Sequence, residues 1–385
     1  MHDPPLHGLT RRHALWAAGA LVCAAAGCRS GAPPAANNGS QRLHLVAESR
    51  LQHRLSFDGT TIGGLSGIDY DRRRGEYLLL SDDRSDFAPV RFYTMRWSPA
   101  AKAEPPRPVG VTYLRQADGA PWPRRREAES EVAVPDPEAI RWRPDTDTLL
   151  WTSEGDPQRG FGQALYESRR DGSLVRQIPL PAMFDAATGR RRGPRENLGL
   201  EGLALTPDGR HAWLAMEAAL FQDGPVPSFT APGGPCRFTQ IELSTGRAVR
   251  QIAYLPDPIP RRPLLPGTYA DNGVSEILMI DADRMLVLER SYAAGAGNSL
   301  RLYEIDTRHG SDVLAIDALT PDNHRPAPKT GVADFATFGL SRLDNTEGLC
   351  WGPDLPNGHR LLVAVSDDNF NPLQITQFAA FEFTG

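Results

Sequence analysis

The chain has 385 residues, 40% hydrophobic and 23% charged, which is too rich in core-forming side chains for a disordered polymer. A formal net charge of −5 and a pI near 6.0 exclude a general nucleic-acid binder, which would carry a basic face. Lysine occurs only at Lys102 and Lys329, and the bias to arginine runs along the whole chain, so it is background composition and no phosphate-binding signal.

Residues 1–28 read as an export signal. Thr10-Arg11-Arg12-His13 opens it with positive charge and resembles a Tat signal, with Ala14 where a bulky apolar residue is usual. Ala14 to Ala26 is an uncharged, mostly apolar run, shorter than the ~20 residues that span a bilayer and suited to the apolar part of a secretory signal. Ala25-Ala26-Gly27-Cys28 resembles a bacterial lipobox, which makes Cys28 the expected lipidation site; ordinary cleavage after a small residue is the alternative. Residues 29–41 are small, polar and Pro-containing, as in a flexible tether. The expected product is exported, either periplasmic or membrane-anchored through a lipid on Cys28, with one domain over 42–385. Its cysteines, Cys236 and Cys350, can form a disulfide in an oxidising compartment or remain separate buried thiols.

Within that domain one pattern recurs five times: a Gly or acidic residue, an apolar strand, a polar turn, and a second apolar strand ending in acidic or Ser residues. The copies are GGLSGIDYDRRRGEYLLLSDDR (63–84), DPEAIRWRPDTDTLLWTSEGD (136–156), LGLEGLALTPDGRHAWLAMEAAL (198–220), GVSEILMIDADRMLVLERSY (273–292) and NTEGLCWGPDLPNGHRLLVAVSDDN (345–369). Aligned on Ser66, Glu138, Glu201, Glu276 and Glu347, they recur every 63 to 75 residues. The Asp- and Gly-rich turns favour hairpins, and flanks such as Leu361-Leu362-Val363-Ala364-Val365 suit strands buried on both faces. Further alternating segments, such as 174–178, 241–252 and 300–305, follow the hairpins. Each unit therefore reads as an antiparallel sheet of three or four strands. Radial repetition of such units predicts an all-β fold, a β-propeller of five blades, with six as second choice. Inserted loops are expected at 101–135, 183–197 and 222–236. Strands at Arg42–Val46 and Gln374–Phe383 should share one blade and close the ring.

In a propeller, equivalent positions of the innermost strands face one another, so repeated acids become a ring. Four of the five copies carry Glu at the first strand, and the second strands end at Asp82-Asp83, Glu154, Glu217, Glu289 and Asp367-Asp368. Such carboxylates raise one another's pKa or take up a hard cation, and Ca²⁺ accepts six to eight oxygens. The candidate metal ligands are Glu138, Glu201, Glu276, Glu347 and Asp82. A strand-end acid can equally tie down neighbouring backbone or bridge two blades. There is no H-E-x-x-H and no P-loop, so neither zinc nor a nucleotide cofactor is expected.

Ser81-Asp82-Asp83-Arg84, Asn197-Leu198-Gly199-Leu200-Glu201-Gly202, Leu288-Glu289-Arg290-Ser291 and Ser366-Asp367-Asp368-Asn369-Phe370 together resemble the phytase-like domain of bacteria, "esterase-like activity of phytase". The resemblance runs from about Leu45 to Phe383. It implies an exported propeller acting on a phosphate ester or related ester, a small-molecule substrate. The expected mechanism is Ca²⁺-assisted, with Asp82, Glu201, Glu289 and Asp367 as candidate catalytic acids. Arg84, Arg290 and Asn369 would bind substrate, the arginines as bidentate phosphate donors. The rival expectation is a non-catalytic envelope propeller that binds a ligand or a protein partner.

Overall fold

The computed structural model describes residues 42–99, 104–129, 131–186 and 192–385. The expected signal and tether segments, with Cys28, lie outside the described residues.

After β1 (Leu43–Arg50) and a short hairpin of β2 (Ser56–Phe57) and β3 (Thr60–Thr61), the strands fall into successive four-stranded antiparallel sheets. Blade one holds β4 (Leu65–Asp71), β5 (Glu76–Ser81), β6 (Arg91–Arg96) and β7 (Arg107–Tyr113). Blade two holds β8 (Pro137–Arg143), β9 (Thr148–Ser153), β10 (Ala164–Arg169) and β11 (Leu174–Ile178). Blade three holds β12 (Leu200–Leu205), β13 (His211–Met216), β14 (Cys236–Glu242) and β15 (Arg247–Tyr254). Blade four holds β16 (Gly273–Met279), β17 (Arg284–Ala293), β18 (Gly297–Asp306) and β19 (Lys329–Asp334). Blade five holds β20 (Asn345–Trp351), β21 (Arg360–Asp367) and β22 (Gln377–Phe383), with β1 as its outermost strand. The fold is a five-bladed β-propeller, closed by the pairing Leu43↔Phe383 through Arg50↔Gln377.

The inner strands β4, β8, β12, β16 and β20 surround the axis and pack against one another in turn. Every residue of β8 and of β16 is buried, as expected of strands covered on both faces. Large apolar side chains fill the wedges between blades, for example Trp213 with Phe238, Tyr254 and Ile277, and Leu79 with Tyr93, Val363 and Phe378. Cys236 and Cys350 are separate buried thiols. One expected loop contains a strand. Residues 107–113 form β7, whose half-exposed edge position tolerates Pro108.

A β-bulge at the axial end of every inner strand positions the site. Pairing with the second strand slips between Leu65 and Gly67, Pro137 and Ile140, Leu200 and Gly202, Val274 and Glu276, and Thr346 and Gly348. A bulge leaves one residue unpaired and re-aims its side chain. The bulged residues are Ser66, Glu201, Ser275 and Glu347, with Glu138 and Ala139 sharing the wider bulge in blade two. The residue after each bulge abuts the next inner strand. A Cβ on Gly67 would lie 2.8 Å from Glu138 O, and one on Gly348 would lie 2.9 Å from Ser66 O.

Candidate functional site

The bulges correct the alignment of the repeats. Blade four contributes Ser275 to the axial ring, and Glu276 occupies the position that Gly67, Gly202 and Gly348 hold elsewhere. A one-residue offset along a strand sends a side chain to the other face. Glu276 accordingly turns away from the ring and binds Arg141 Nη2 at 2.7 Å, while its other oxygen accepts N–H groups from Leu203 and Ile277. Arg141 also donates to the carbonyls of Ile68, Ile140 and Ile277, so this buried ion pair ties four inner strands together across the axis. Glu276 therefore does not join Glu138, Glu201 and Glu347.

The same correction applies to the second strands. Asp82, Glu154 and Glu217 donate their backbone N–H to Gly64, Asp136 and Gly199, the residues just before the inner strands. The equivalent pairs in blades four and five are Arg290 with Gly273 and Asp367 with Asn345. The upper ring is thus Asp82, Glu154, Glu217, Arg290 and Asp367. Glu289 lies one residue earlier and points between blades, where it binds Tyr254 Oη at 2.7 Å, Asn272 Nδ2 at 2.8 Å and Lys329 Nζ at 2.5 Å. It does not line the cup.

Around the axis these rings form a cup of about 70 Å³, lined by Asp82, Asp136, Glu138, Glu154, Glu201, Glu347 and Asp367 together with Arg84, Asn197 and Asn369. Carboxylate oxygens of Asp136, Glu138 and Glu154 lie within 4.8 Å of one another, as do those of Glu154, Glu201 and Glu217. Glu154 belongs to both groups. Burial pushes the Glu138 carboxyl well above its usual range, reinforced by Glu201, Asp136, Glu154 and Asp82. Burial also raises Glu201, with Glu217, Glu154 and Glu347 adding to the effect and Arg290 opposing it. Asp367 is raised by burial and by Asp82, Glu347 and Asp368. The clustered, all-oxygen donor set can hold a metal ion of the hard class, which would relieve this repulsion.

The arginines are engaged within this carboxylate assembly. Arg84 lies 3.3 Å from Asp136 and 3.7 Å from Asp156, and donates to Gly155 O at 2.9 Å. Arg290 lies 3.3 Å from Glu217 and 3.5 Å from Glu347. Asp83 and Asp368 serve the scaffold. Asp83 holds Arg91 and the backbone N–H groups of residues 86–88, and Asp368 holds those of Gly64 and Phe370.

Strained backbone collects here as well. Asn197 (φ 49°), Asn369 (φ 46°) and Phe370 (φ 52°) adopt the left-handed region, which costs an aromatic residue most. Phe370 stacks on Phe87, and its ring fills the space beside Gly63 and Gly64. A Cβ on Gly64 would also sit 2.2 Å from Asp82 Oδ1, so the glycine pair makes room for an acid of the cup. Glu154 and Glu217 were read from sequence as repeated strand-end acids but, like Asp136 and Asn197, were not assigned a metal, catalytic or substrate role. Glu154 and Glu217 had a readable signal, the shared strand-end position. Asp136 opens the second repeat and Asn197 opens one of the family-like motifs, but each precedes its strand and had no ring position of its own.

Fold and site together define a five-bladed β-propeller with a carboxylate cup on its axis. The chain belongs to the phytase-like family, described as "esterase-like activity of phytase", which it matches over residues 60–370. Comparison with curated proteins gives no match. Among solved structures it is similar to the catalytic domain of a GH62 α-L-arabinofuranosidase from Coprinopsis cinerea (12% identity, 89% of this chain and 97% of that one, TM-score 0.44). It is also similar to a periplasmic gluconolactonase of Pseudomonas aeruginosa (13%, 84% and 87%, TM-score 0.34). A third is the calcium-binding protein regucalcin of Agrobacterium tumefaciens (12%, 84% and 92%, TM-score 0.38). Likeness at this level carries no functional assignment.

Proposed function

We propose that this protein is an exported, cation-dependent hydrolase that cleaves an ester, of phosphoric or carboxylic acid, in the axial cup. The observation that supports this most is the sharing of Glu154 between two buried carboxylate triads. Asp136, Glu138, Glu154, Glu201 and Glu217 would hold the ion, with Asp82 and Glu347 beside them. Ca²⁺ suits their all-oxygen chemistry and, when bound, polarises the ester oxygen and acidifies a water. The protein's own contribution is proton handling and positioning. Asp367, outside both triads and raised by burial and by Asp82, Glu347 and Asp368, is the group to hold a proton and deliver it to the leaving oxygen. Arg84 and Arg290 hold their neighbouring carboxylates in place. The export signal and a lipid on Cys28 would place this activity in the cell envelope.

The test is turnover of p-nitrophenyl acetate and p-nitrophenyl phosphate by the full chain, with and without calcium and after EDTA. Glu154→Gln should lower a calcium-dependent rate by about 100-fold, the order seen on removing a key electrostatic group. Binding of calcium without turnover of either ester would favour a non-catalytic propeller.

A further inference from the structure

Beside the cup lies a second cavity of about 40 Å³, lined by Tyr269, Asp271, Arg290, Tyr292, Asn298, Asn345, Glu347, Asn369 and Gln374. Glu347 and Asn369 line both cavities, so they form the wall between them. The side pocket is built by a local elongation. β17 and β18 are 10 residues each, whereas the second and third strands of the other blades have six to eight. The extra length carries Tyr292 and Asn298, paired across the hairpin, above the level of Arg290. The preceding loop is fastened to this extension. Asp271 N–H donates to Tyr292 O, Ala294 N–H donates to Tyr269 O, and Asp271 Oδ1 accepts from Tyr292 N–H. Tyr269 then lies beside Tyr292, with ring centroids 6.3 Å apart.

The chemistry of this pocket is that of hydroxyl recognition. Two tyrosines and four amide side chains line it beside Asp271 and the facing opposite charges of Arg290 and Glu347, and the Nδ2 of Asn369 is buried with no hydrogen-bond partner. A buried amide donor of this kind costs stability until something accepts from it. Phosphate recognition needs cationic forks instead. Among the described residues, the cations lining the two cavities are Arg84 and Arg290. Both face carboxylates, and seven carboxylates line the cup itself.

We infer that the side pocket is a subsite for an uncharged hydroxyl group of the substrate, so that the cup takes a neutral, hydroxylated carboxylic ester in preference to a phosphate monoester. This rests on the hydrolase reading above. Hydrolysis then adds water across the acyl bond. The water oxygen bonds to the carbonyl carbon, the bond from that carbon to the alcohol oxygen breaks, and the proton released by the water goes to the leaving alcohol. Tyr292, Asn298 and Asn369 are positioning residues for the hydroxylated part.

The test is calorimetric titration of the calcium-loaded full chain with myo-inositol, a neutral polyol, and separately with inorganic phosphate. Myo-inositol should bind saturably, and Tyr292→Phe and Asn298→Ala should each weaken it about tenfold, as expected for one lost hydrogen bond in a small ligand. Tyr292→Phe keeps the ring and therefore the packing, should Asn298→Ala fail to fold. Phosphate should give no saturable heat. Saturable phosphate binding without myo-inositol binding overturns the inference, as does myo-inositol binding that neither variant weakens or no binding of either probe. Hydrolysis of p-nitrophenyl acetate without polyol binding defeats the subsite and leaves the hydrolase standing; polyol binding without hydrolysis does the reverse.

Discussion

Replacing Glu276 by Gln should stabilise the protein above neutral pH and leave it unchanged in acid. Burial pushes the Glu276 carboxyl up to about 7 from an ordinary 4.5, against the opposing pull of Arg141 and of the Leu203 and Ile277 N–H groups. Desolvation therefore outweighs the ion pair. When the folded-state pKa of a carboxyl lies above the unfolded one, the folded state binds the extra proton between the two values. Its contribution is fully present below about pH 4.5 and is lost as pH rises through about 7. At about 1.36 kcal/mol per pH unit, the loss is roughly 3 kcal/mol. Glutamine mimics the protonated side chain. Its oxygen can still accept from Leu203 and Ile277, and Arg141 keeps its carbonyl partners on Ile68, Ile140 and Ile277. Urea unfolding at about pH 4, 6 and 8 should show a gain in the variant that is absent at the lowest pH and approaches roughly 3 kcal/mol at the highest. A variant destabilised at pH 8 by about 3–5 kcal/mol, the cost of breaking a favourable buried pair, would refute this reasoning.

Calcium should raise the melting temperature, because it would bind the folded cup alone, by about 2.7 kcal/mol of stability at 100 times its Kd. Glu154→Gln should abolish most of that gain, and differential scanning fluorimetry reads both. Deleting residues 376–385 removes β22 from between β21 and β1, so circular dichroism should show loss of the whole cooperative transition and no mere fraying of one end. Cys28→Ser should move the protein from the membrane to the soluble fraction; a wild type already soluble on fractionation would remove the lipid anchor.

The five blades and their closure were legible because hairpins buried on both faces leave short apolar strands between turn residues, repeated at similar intervals. The exact facing of the acids was not. A bulge adds a residue without changing composition, and it shifts every later side chain by one position. The clue lay in the neighbours. Ser66-Gly67, Glu201-Gly202 and Glu347-Gly348 share a small residue after the bulge, and Glu138-Ala139 nearly does. On that pattern Ser275 takes the ring position and Glu276 the small-residue position. Likewise Ser81, Ser153 and Ser366 precede the ring acids, which assigns Glu289 to the serine position and Arg290 to the ring. The side pocket was illegible because it depends on the extra length of one hairpin, Arg284–Ala293 with Gly297–Asp306, which no residue type announces.

The shared blade has a practical side. β22 runs away from the cup, from Gln377 to Phe383, and Leu43 pairs with Phe383 at its far end. Thr384 N–H then donates to Arg42 O at 3.0 Å, so the two ends of the propeller meet on the face opposite the cup. A tag, a surface linker or a lipid tether joined at either end would hold the molecule from behind and leave the cup open to solution. Because the ends adjoin, a short peptide could connect them, and new termini could be opened in the turn at Asp208-Gly209 without cutting a strand, so that blade three would be closed by the two new ends as blade five is by the present ones.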